Sequence, residues 1–506
     1  MNNTSSIKRV TSILFVLRIL RMSMSVVTLI FSAKYFGVSI ERDVWILVTT
    51  FLVTVCSAVW GPINETFRAK FIFIREQEGE QIALRKTVSL MGFIVAVTVL
   101  ISICILISLH LITSVIVQHP TDESSKLFMS LLLIMLPTFL INELINIGIS
   151  ILNAYEVYYV PEIVGAVSSF LNIIIIICLA PVWGIYSLAV SQYIALILLL
   201  LMVFYKVRRL HIFQLSMLLH IQYKYVKVFL MFALPFFLPY FVGQCNLLAE
   251  KWLAGLLGEG NISSLDYARQ FTVVLQSVLS SILVTVMVPM LAKSYAKNDS
   301  SGFNKIISEN LIVCFAILAI VIPLLYGAAQ PLCEFFFLRG KVSPEALQTI
   351  VSLTRMYAVA FVGIILYLLF GGTLLASNKG KQYAWCGVLA QLLVLVINFL
   401  LIDYCSIYIF PVSVGIAHLA SAIIMSQLLK NDYIKVFYVK ILRYSSIIFL
   451  LTSCIYALNQ AVHVSAIPIV QLIVSVLLLI PLFILASKSM DLDIKRYVIQ
   501  ILQKKK

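Results

Sequence analysis

The chain has 506 residues, of which 61% are hydrophobic and 12% charged, and its mean hydropathy is +1.04; soluble domains carry about 25% charged residues. No soluble core needs this much apolar surface, so the composition excludes an ordinary soluble enzyme and points to work done across or within a bilayer. The formal charge of +15 would suit a nucleic-acid binder, but the Lys and Arg lie in short loops between apolar runs, where an anionic inner leaflet attracts them.

A membrane crossing needs about 20 apolar residues, and fourteen such stretches can be read: 12–36, 43–70, 87–117, 127–153, 158–182, 184–206, 227–257, 265–292, 306–336, 346–376, 382–402, 405–429, 441–461 and 465–487. The first follows Lys8 and Arg9 as a signal peptide would. Its apolar run is too long for that and no small-residue cleavage pattern follows, so it is expected to stay as helix 1. Lys and Arg fall mainly at the N-terminus and on every second loop, among them Arg75, Arg85, Lys86, Lys206, Arg208, Arg209, Lys293, Lys297 and Lys435. With an even number of spans, the positive-inside rule places both termini in the cytoplasm. The closing Lys504, Lys505 and Lys506 fit the same surface role.

After six spans, residues 207–226 interrupt the apolar pattern with Arg208, Arg209, His211, His220 and Lys224. This amphipathic stretch reads as a cytoplasmic linker on the membrane surface. It divides an N-lobe at 1–206 (helices 1–6) from a C-lobe at 227–435 (helices 7–12), with helices 13–14 and a basic cytoplasmic tail in 436–506. A faint echo links the halves: Phe36-Gly37 precedes Asp43 at the start of helix 2, as Leu257-Gly258 precedes Ser264 at the start of helix 8.

Gly-rich phosphate loops, H-E-x-x-H and G-x-S-x-G are absent from the sequence. The outward loops are short, and the nine Cys, from Cys56 to Cys454, are scattered singly without C-x-x-C, so neither a disulfide framework nor a zinc site is expected. No cofactor and no catalytic residue is expected. Moving a solute or a lipid is the remaining task.

Charges inside spans are the sharpest signal, because each costs at least about 2.5–3.5 kcal/mol at the bilayer centre unless it faces a cavity or a partner. Helix 1 carries Arg18 and Arg21 on one face; helix 8 begins with Asp266 and Arg269; helix 10 holds Arg355. A cavity walled by these four guanidinium groups would suit a phosphate or pyrophosphate, for which Arg offers paired donors in a planar fork. The plainer readings are that Arg18 and Arg21 snorkel to headgroups and that Arg269 sits at an interface or pairs with Asp266. Arg355 lies too deep for easy snorkelling, which fits a lumen-facing position.

Glu250 and Lys251 of helix 7 are adjacent and point about 100° apart, so one of them is expected to be structural. Glu250, Asn398 and Asp403 form a candidate cation site, although Asp403 can equally cap the outer end of helix 11. Asn142, Glu143, Asn146, Asn172 and Asn246 read as helix-to-helix hydrogen-bond partners, and His418 as satisfied within the bundle. Pro235 and Pro239 each remove a backbone hydrogen bond, making helix 7 the candidate hinge.

Tyr267-Ala268-Arg269, continuing to Val288-Pro289-Met290-Leu291-Ala292-Lys293-Ser294, resembles the helix 8 signature Y-A-x-R…L-P-x-L-S-K of MurJ/MviN-type lipid II flippases, in the multidrug/oligosaccharidyl-lipid/polysaccharide exporter superfamily. Four further pieces agree in order: Phe36-Gly37 with Asp43; Gly61 with Phe67; Ile151-Leu152-Asn153 followed by Pro161; and Arg339-Gly340-Lys341 with Glu345 and Tyr357. The resemblance runs over roughly 10–430 and implies an all-α membrane protein with two six-helix lobes in a V around a central cavity plus two C-terminal helices. It also implies an undecaprenyl-pyrophosphate-linked sugar substrate, flipped from the inner to the outer leaflet of the bacterial cytoplasmic membrane by alternating access. The headgroup would pass through the cavity while the tail stays in lipid along a groove formed by helices 13 and 14.

The sequence departs from that pattern in three places. Where the family's helix 1 carries S-R-x-x-G-x-x-R-[DE], this chain reads Leu20-Arg21-Met22-Ser23-Met24-Ser25-Val26-Val27-Thr28 with only Arg18 and Arg21 nearby, helix 2 has an apolar run around Val55 and Cys56 where the family has an arginine, and Gln270 follows Arg269 at the helix 8 arginine position. A Wzx-like flippase for O-antigen, capsule or exopolysaccharide, and a cation-coupled multidrug exporter, therefore stand as alternatives. Expected partners are a polyprenyl-linked glycan and anionic inner-leaflet lipids, with no nucleic acid.

Overall fold

A computed structural model describes residues 3–118, 120–209, 221–283, 287–338, 340–429, 434–461 and 467–492. Among the described residues the regular structure is helical throughout, with no strand, as the hydropathy requires: in lipid a helix satisfies every backbone group within its own segment. Eleven helical stretches among the described residues are long and apolar enough to cross a membrane. One of them, Gly380–Leu428, has 49 residues and takes in two of the fourteen expected spans. The expected linker falls largely on 210–220, and Arg339 and the C-terminal lysines also lie outside the described residues.

Packing divides the chain into two compact units, Met1–Ser263 and Ser264–Lys506. The first holds α1 (Asn3–Phe36), α2 (Ile40–Glu78), α3 (Glu80–Ile107), α4 (Leu109–Ile116), α5 (Asp122–Met135), α6 (Pro137–Ala154), α7 (Tyr159–Trp183), α8 (Tyr186–Arg209) and α9 (Tyr223–Leu256). The helix that opens the expected C-lobe at 227, α9, packs along α2 and α3 within the first unit.

Helix α2 is the axis of this unit. Ser39 caps it by accepting from the Arg42 amide at 3.3 Å, and Glu41 and Asp43 in its first turn suit the positive end of the helix dipole. Its buried face carries Trp60, Ile63, Phe67 and Phe71, and Phe67 stacks on Phe229 of α9 at 5.3 Å. Lipid tails are as apolar as these side chains, so close packing rather than escape from water holds such helices together. Small residues make that approach possible: at Gly61 an added Cβ would lie 2.5 Å from the Tyr240 ring, whose hydroxyl donates to Glu65 Oε2 at 3.2 Å.

The second unit comprises most of α10 (Asn261–Ile282), then α11 (Val288–Ala296), α12 (Ser300–Ile322), α13 (Ala329–Phe337), α14 (Pro344–Ala376), α15 (Gly380–Cys405), α16 (Ile409–Leu428), α17 (Ile434–Ala461) and α18 (Pro468–Ser489). Helix α14 opens with Ser343 accepting from the Ala346 amide at 3.2 Å and Pro344 at a position that needs no amide donor. It meets α16 almost backbone to backbone: a Cβ on Gly363 would lie 2.7 Å from the Gly415 carbonyl, and one on Gly415 would lie 3.1 Å from Ala360 Cα. Between α12 and α13 the chain widens into a π-helical turn at Pro323–Gly327, against which α17 packs.

Candidate functional site

In the first unit every deep charge described here has a protein partner. Arg21 Nη1 lies 3.5 Å from Glu162 Oε2 on α7, with the arginine side chain 47% exposed. Its aliphatic stem crosses Gly165, where an added Cβ would sit 2.8 Å from Arg21 Cδ. Arg18 falls within α1, but its side chain lies outside the described residues. Glu250 and Lys251 are both buried and meet at 3.4 Å. Adjacency places their backbones 100° apart, yet two long side chains can converge, so both belong to one internal ion pair.

Glu143 is fully buried and accepts from Cys56 Sγ at 2.6 Å, Asn64 Nδ2 at 3.1 Å and Asn146 Nδ2 at 3.4 Å. It joins α6 to α2, as expected of a helix-to-helix partner, and Asn172 does the same by accepting from Ser191 of α8. Asp43, buried at 5% exposure, accepts from the Gly260 amide at 2.6 Å and from the amide of Ser263 at 2.7 Å and its hydroxyl. In return Glu259 Oε1 accepts from the Ile40 amide at 3.1 Å. The start of α2 and the turn before α10 thus supply each other's caps. The motif spacing marked Asp43 and Gly258; a contact more than 200 residues away left no local signal.

In the second unit Arg269 lies within electrostatic reach of His418. His418 is held by Val414 O at 2.8 Å and by the edge of the Tyr367 ring at 5.1 Å. Arg355, about 17 Å into α14 at 1.5 Å per residue, takes a different neighbour: its guanidinium carbon lies 5.2 Å from the centre of the Tyr456 ring of α17. Its Nε is buried without a hydrogen-bond partner among the described residues. Arg355 and Tyr367 are about 18 Å apart along α14, so Arg355 stands well along the helix from the ring against which His418 packs. A cation over a ring is held by about 0.5–2 kcal/mol, and the ring leaves its charge intact.

Pro235 and Pro239 both lie inside α9, which continues through them as one helix. Of the candidate cation ligands, Glu250 already pairs with Lys251. Asn398 is buried, with Oδ1 lacking a hydrogen-bond partner among the described residues, while Asp403 is exposed. Five residues of helix turn them about 140° apart, so α15 does not bring those two to one face. No cluster of three metal-type ligands occurs among the described residues.

The family model for the lipid II flippase MurJ matches residues 32–483. A curated relative from Burkholderia cenocepacia, described as lipid II flippase MurJ, is 23% identical over 253 residues, and the aligned region spans about half of each chain (49% and 49%). Among solved structures, that of a lipid II flippase MurJ in an inward closed conformation is similar with a TM-score of 0.76 at 18% identity, covering 94% of this chain and 99% of the other. An inward-facing multidrug resistance transporter of the MATE family and MOP superfamily gives 0.67 at 14% identity, over 82% and 99%. With the family model covering most of the sequence, this multi-pass membrane protein belongs to the MurJ lipid II flippase family.

Proposed function

We propose that this protein moves a polyprenyl-pyrophosphate-linked sugar precursor of the lipid II type from the inner to the outer leaflet of a bacterial cytoplasmic membrane, by alternating access and with both termini in the cytoplasm. The observation that carries this reading is Arg355: deep in a span, it is held by a ring and, among the described residues, by no carboxylate. A diphosphate cannot cross hydrocarbon unaided and needs a wet path offering cationic donors, and a planar guanidinium fork is suited to its oxygens. Arg269 lies in the same unit, and Arg18 and Arg21 supply further positive charge on α1. The basic loops would hold anionic inner-leaflet lipids. Membership in the MurJ family supports the same direction.

The altered arginine pattern favours a second reading. Arg21 is engaged by Glu162, helix 2 has no arginine near Cys56, and Gln270 occupies the helix 8 position. A different undecaprenyl-linked glycan would account for these changes. Purified protein in liposomes is expected to speed transbilayer passage of lipid II or of another polyprenyl-diphosphate sugar. Acceleration of neither would overturn the proposal, and rescue of a flippase-depleted strain, lost on Arg355→Ala, would select lipid II.

A further inference from the structure

The two C-terminal helices are expected to serve the lipid tail, yet α17 supplies the ring that holds Arg355. We propose that Tyr456 is a positioning residue for the headgroup: it holds Arg355 in place, still charged and with donors available, so that α17 contributes to the anion site as well as to a tail groove. This rests on the reading that a diphosphate-linked glycan is the cargo.

A carboxylate in place of the ring would neutralise the guanidinium and occupy its fork. A ring face attracts the cation through its quadrupole and takes none of its five N–H donors. Arg355 makes no ion pair or hydrogen bond among the described residues. The carboxylate of Glu334, on the neighbouring α13, accepts instead from Gln330 Nε2 at 2.7 Å.

The ring itself sits in a built position. A Cβ on Gly327 would come within 2.8 Å of Ile455 Cγ2 and 3.0 Å of the Tyr456 amide nitrogen, so only glycine lets α17 approach the π-helical turn here. Tyr326, the residue before it, places its ring edge-on to Tyr456 at 6.0 Å. Ile455 packs with Ala328 and Leu479 below. Asn459, three residues along α17, is tied to α18 by Gln471 Nε2 at 3.0 Å and by Ser475 Oγ. Tyr456 is therefore fixed from both the turn and the helix pair, as a positioning group must be.

The test uses the full chain with Tyr456→Phe, Tyr456→Leu, Tyr456→Met, Arg355→Gln and the Leu/Gln double variant. Two readouts are taken: transport of a polyprenyl-diphosphate sugar in liposomes, and binding of farnesyl diphosphate to purified protein, with inorganic pyrophosphate and farnesol as competitors. Leu and Met, which lack a π-face, are expected to raise the half-saturating concentration and weaken farnesyl diphosphate binding by about fivefold to tenfold. Maximal rate and melting temperature should stay near those of the unaltered protein. Phe should behave as the unaltered protein does, Leu should add nothing in the Arg355→Gln background, and pyrophosphate should compete where farnesol does not. The proposal is overturned if Leu and Met bind normally, if Phe is as damaging as Leu, or if Leu weakens binding further without Arg355. Should the unaltered protein neither bind farnesyl diphosphate nor move any polyprenyl-diphosphate sugar, the flippase reading itself falls. Normal transport with an indifferent Tyr456 removes this inference alone.

Discussion

Charge placed on the spans is held differently at several sites of the first unit and at Arg355 of the second. In the first, Glu250 meets Lys251, Glu143 takes three donors, Asp43 caps a neighbouring turn and Arg21 meets Glu162. In the second, Arg355 is held by an uncharged ring. Matched charges in a membrane hold helices in register and are costly to disturb. An unmatched cation stabilises the fold little but remains available to an anion. On the proposed function, the contrast separates residues that build the scaffold from one suited to meeting a substrate.

The largest expected effect tests that contrast at its centre. Arg355→Gln should lower lipid-linked glycan transport by about tenfold or more, the scale of a lost charge-assisted hydrogen bond, with an unchanged melting temperature. A fall in stability equal to the fall in transport would place Arg355 with the scaffold. Glu143→Ala should do the reverse, destabilising the first unit by about 1–3 kcal/mol as three donors lose their acceptor. Thermal unfolding in detergent reads this directly, and an unchanged melting point would remove Glu143 from the scaffold.

A smaller change sharpens the comparison. Glu162→Gln leaves Arg21 without its carboxylate; because the arginine is about half exposed, stability should change by less than about 1 kcal/mol. Binding of farnesyl diphosphate should rise if an unmatched cation is what the ligand seeks. A fall would show that Glu162 orients Arg21 for binding.

The smallest effect lies beyond the end of α18. Burial pushes the Asp491 carboxyl up, but hydrogen bonds from Tyr444 and Arg443 and the charges of Arg443 and Lys440 outweigh it and hold it below the usual 3.8. The Tyr444 hydroxyl donates to Asp491 Oδ2 at 2.8 Å. A carboxylate lowered in this way stabilises the fold above its unfolded value and loses that contribution as pH falls through the folded one. The melting temperature of the unaltered protein should therefore fall further than that of Asp491→Asn on acidification below about pH 4. Asn also tolerates the left-handed backbone found at this position (φ 56°). Parallel curves would show that the contact contributes nothing.

Much of the fold is written in local pattern. Apolar runs, alternate basic loops and the Tyr267-Ala268-Arg269 signature lie in contiguous residues, where hydropathy and spacing carry the information. Pairing is different. Nothing near Arg21 announces Glu162, nothing near Arg355 announces Tyr456, and Asp43 finds its donors at Gly260 and Ser263 only once distant helices pack. The depth of Arg355 was legible, but its partner was not, because a tyrosine in an apolar helix carries no mark of the cation it will meet. Glu250 and Lys251 show the converse: helical projection set them apart, and side-chain length brought them together.

One consequence follows from the ring of Tyr240 lying in the notch left by Gly61. Tyr240 comes immediately after Pro239, so the weakened stretch of α9 is clamped to α2 just past its second proline. Any flexing there would carry α2 along as a coupled strut, and a bulkier residue at position 61 would push the two helices apart.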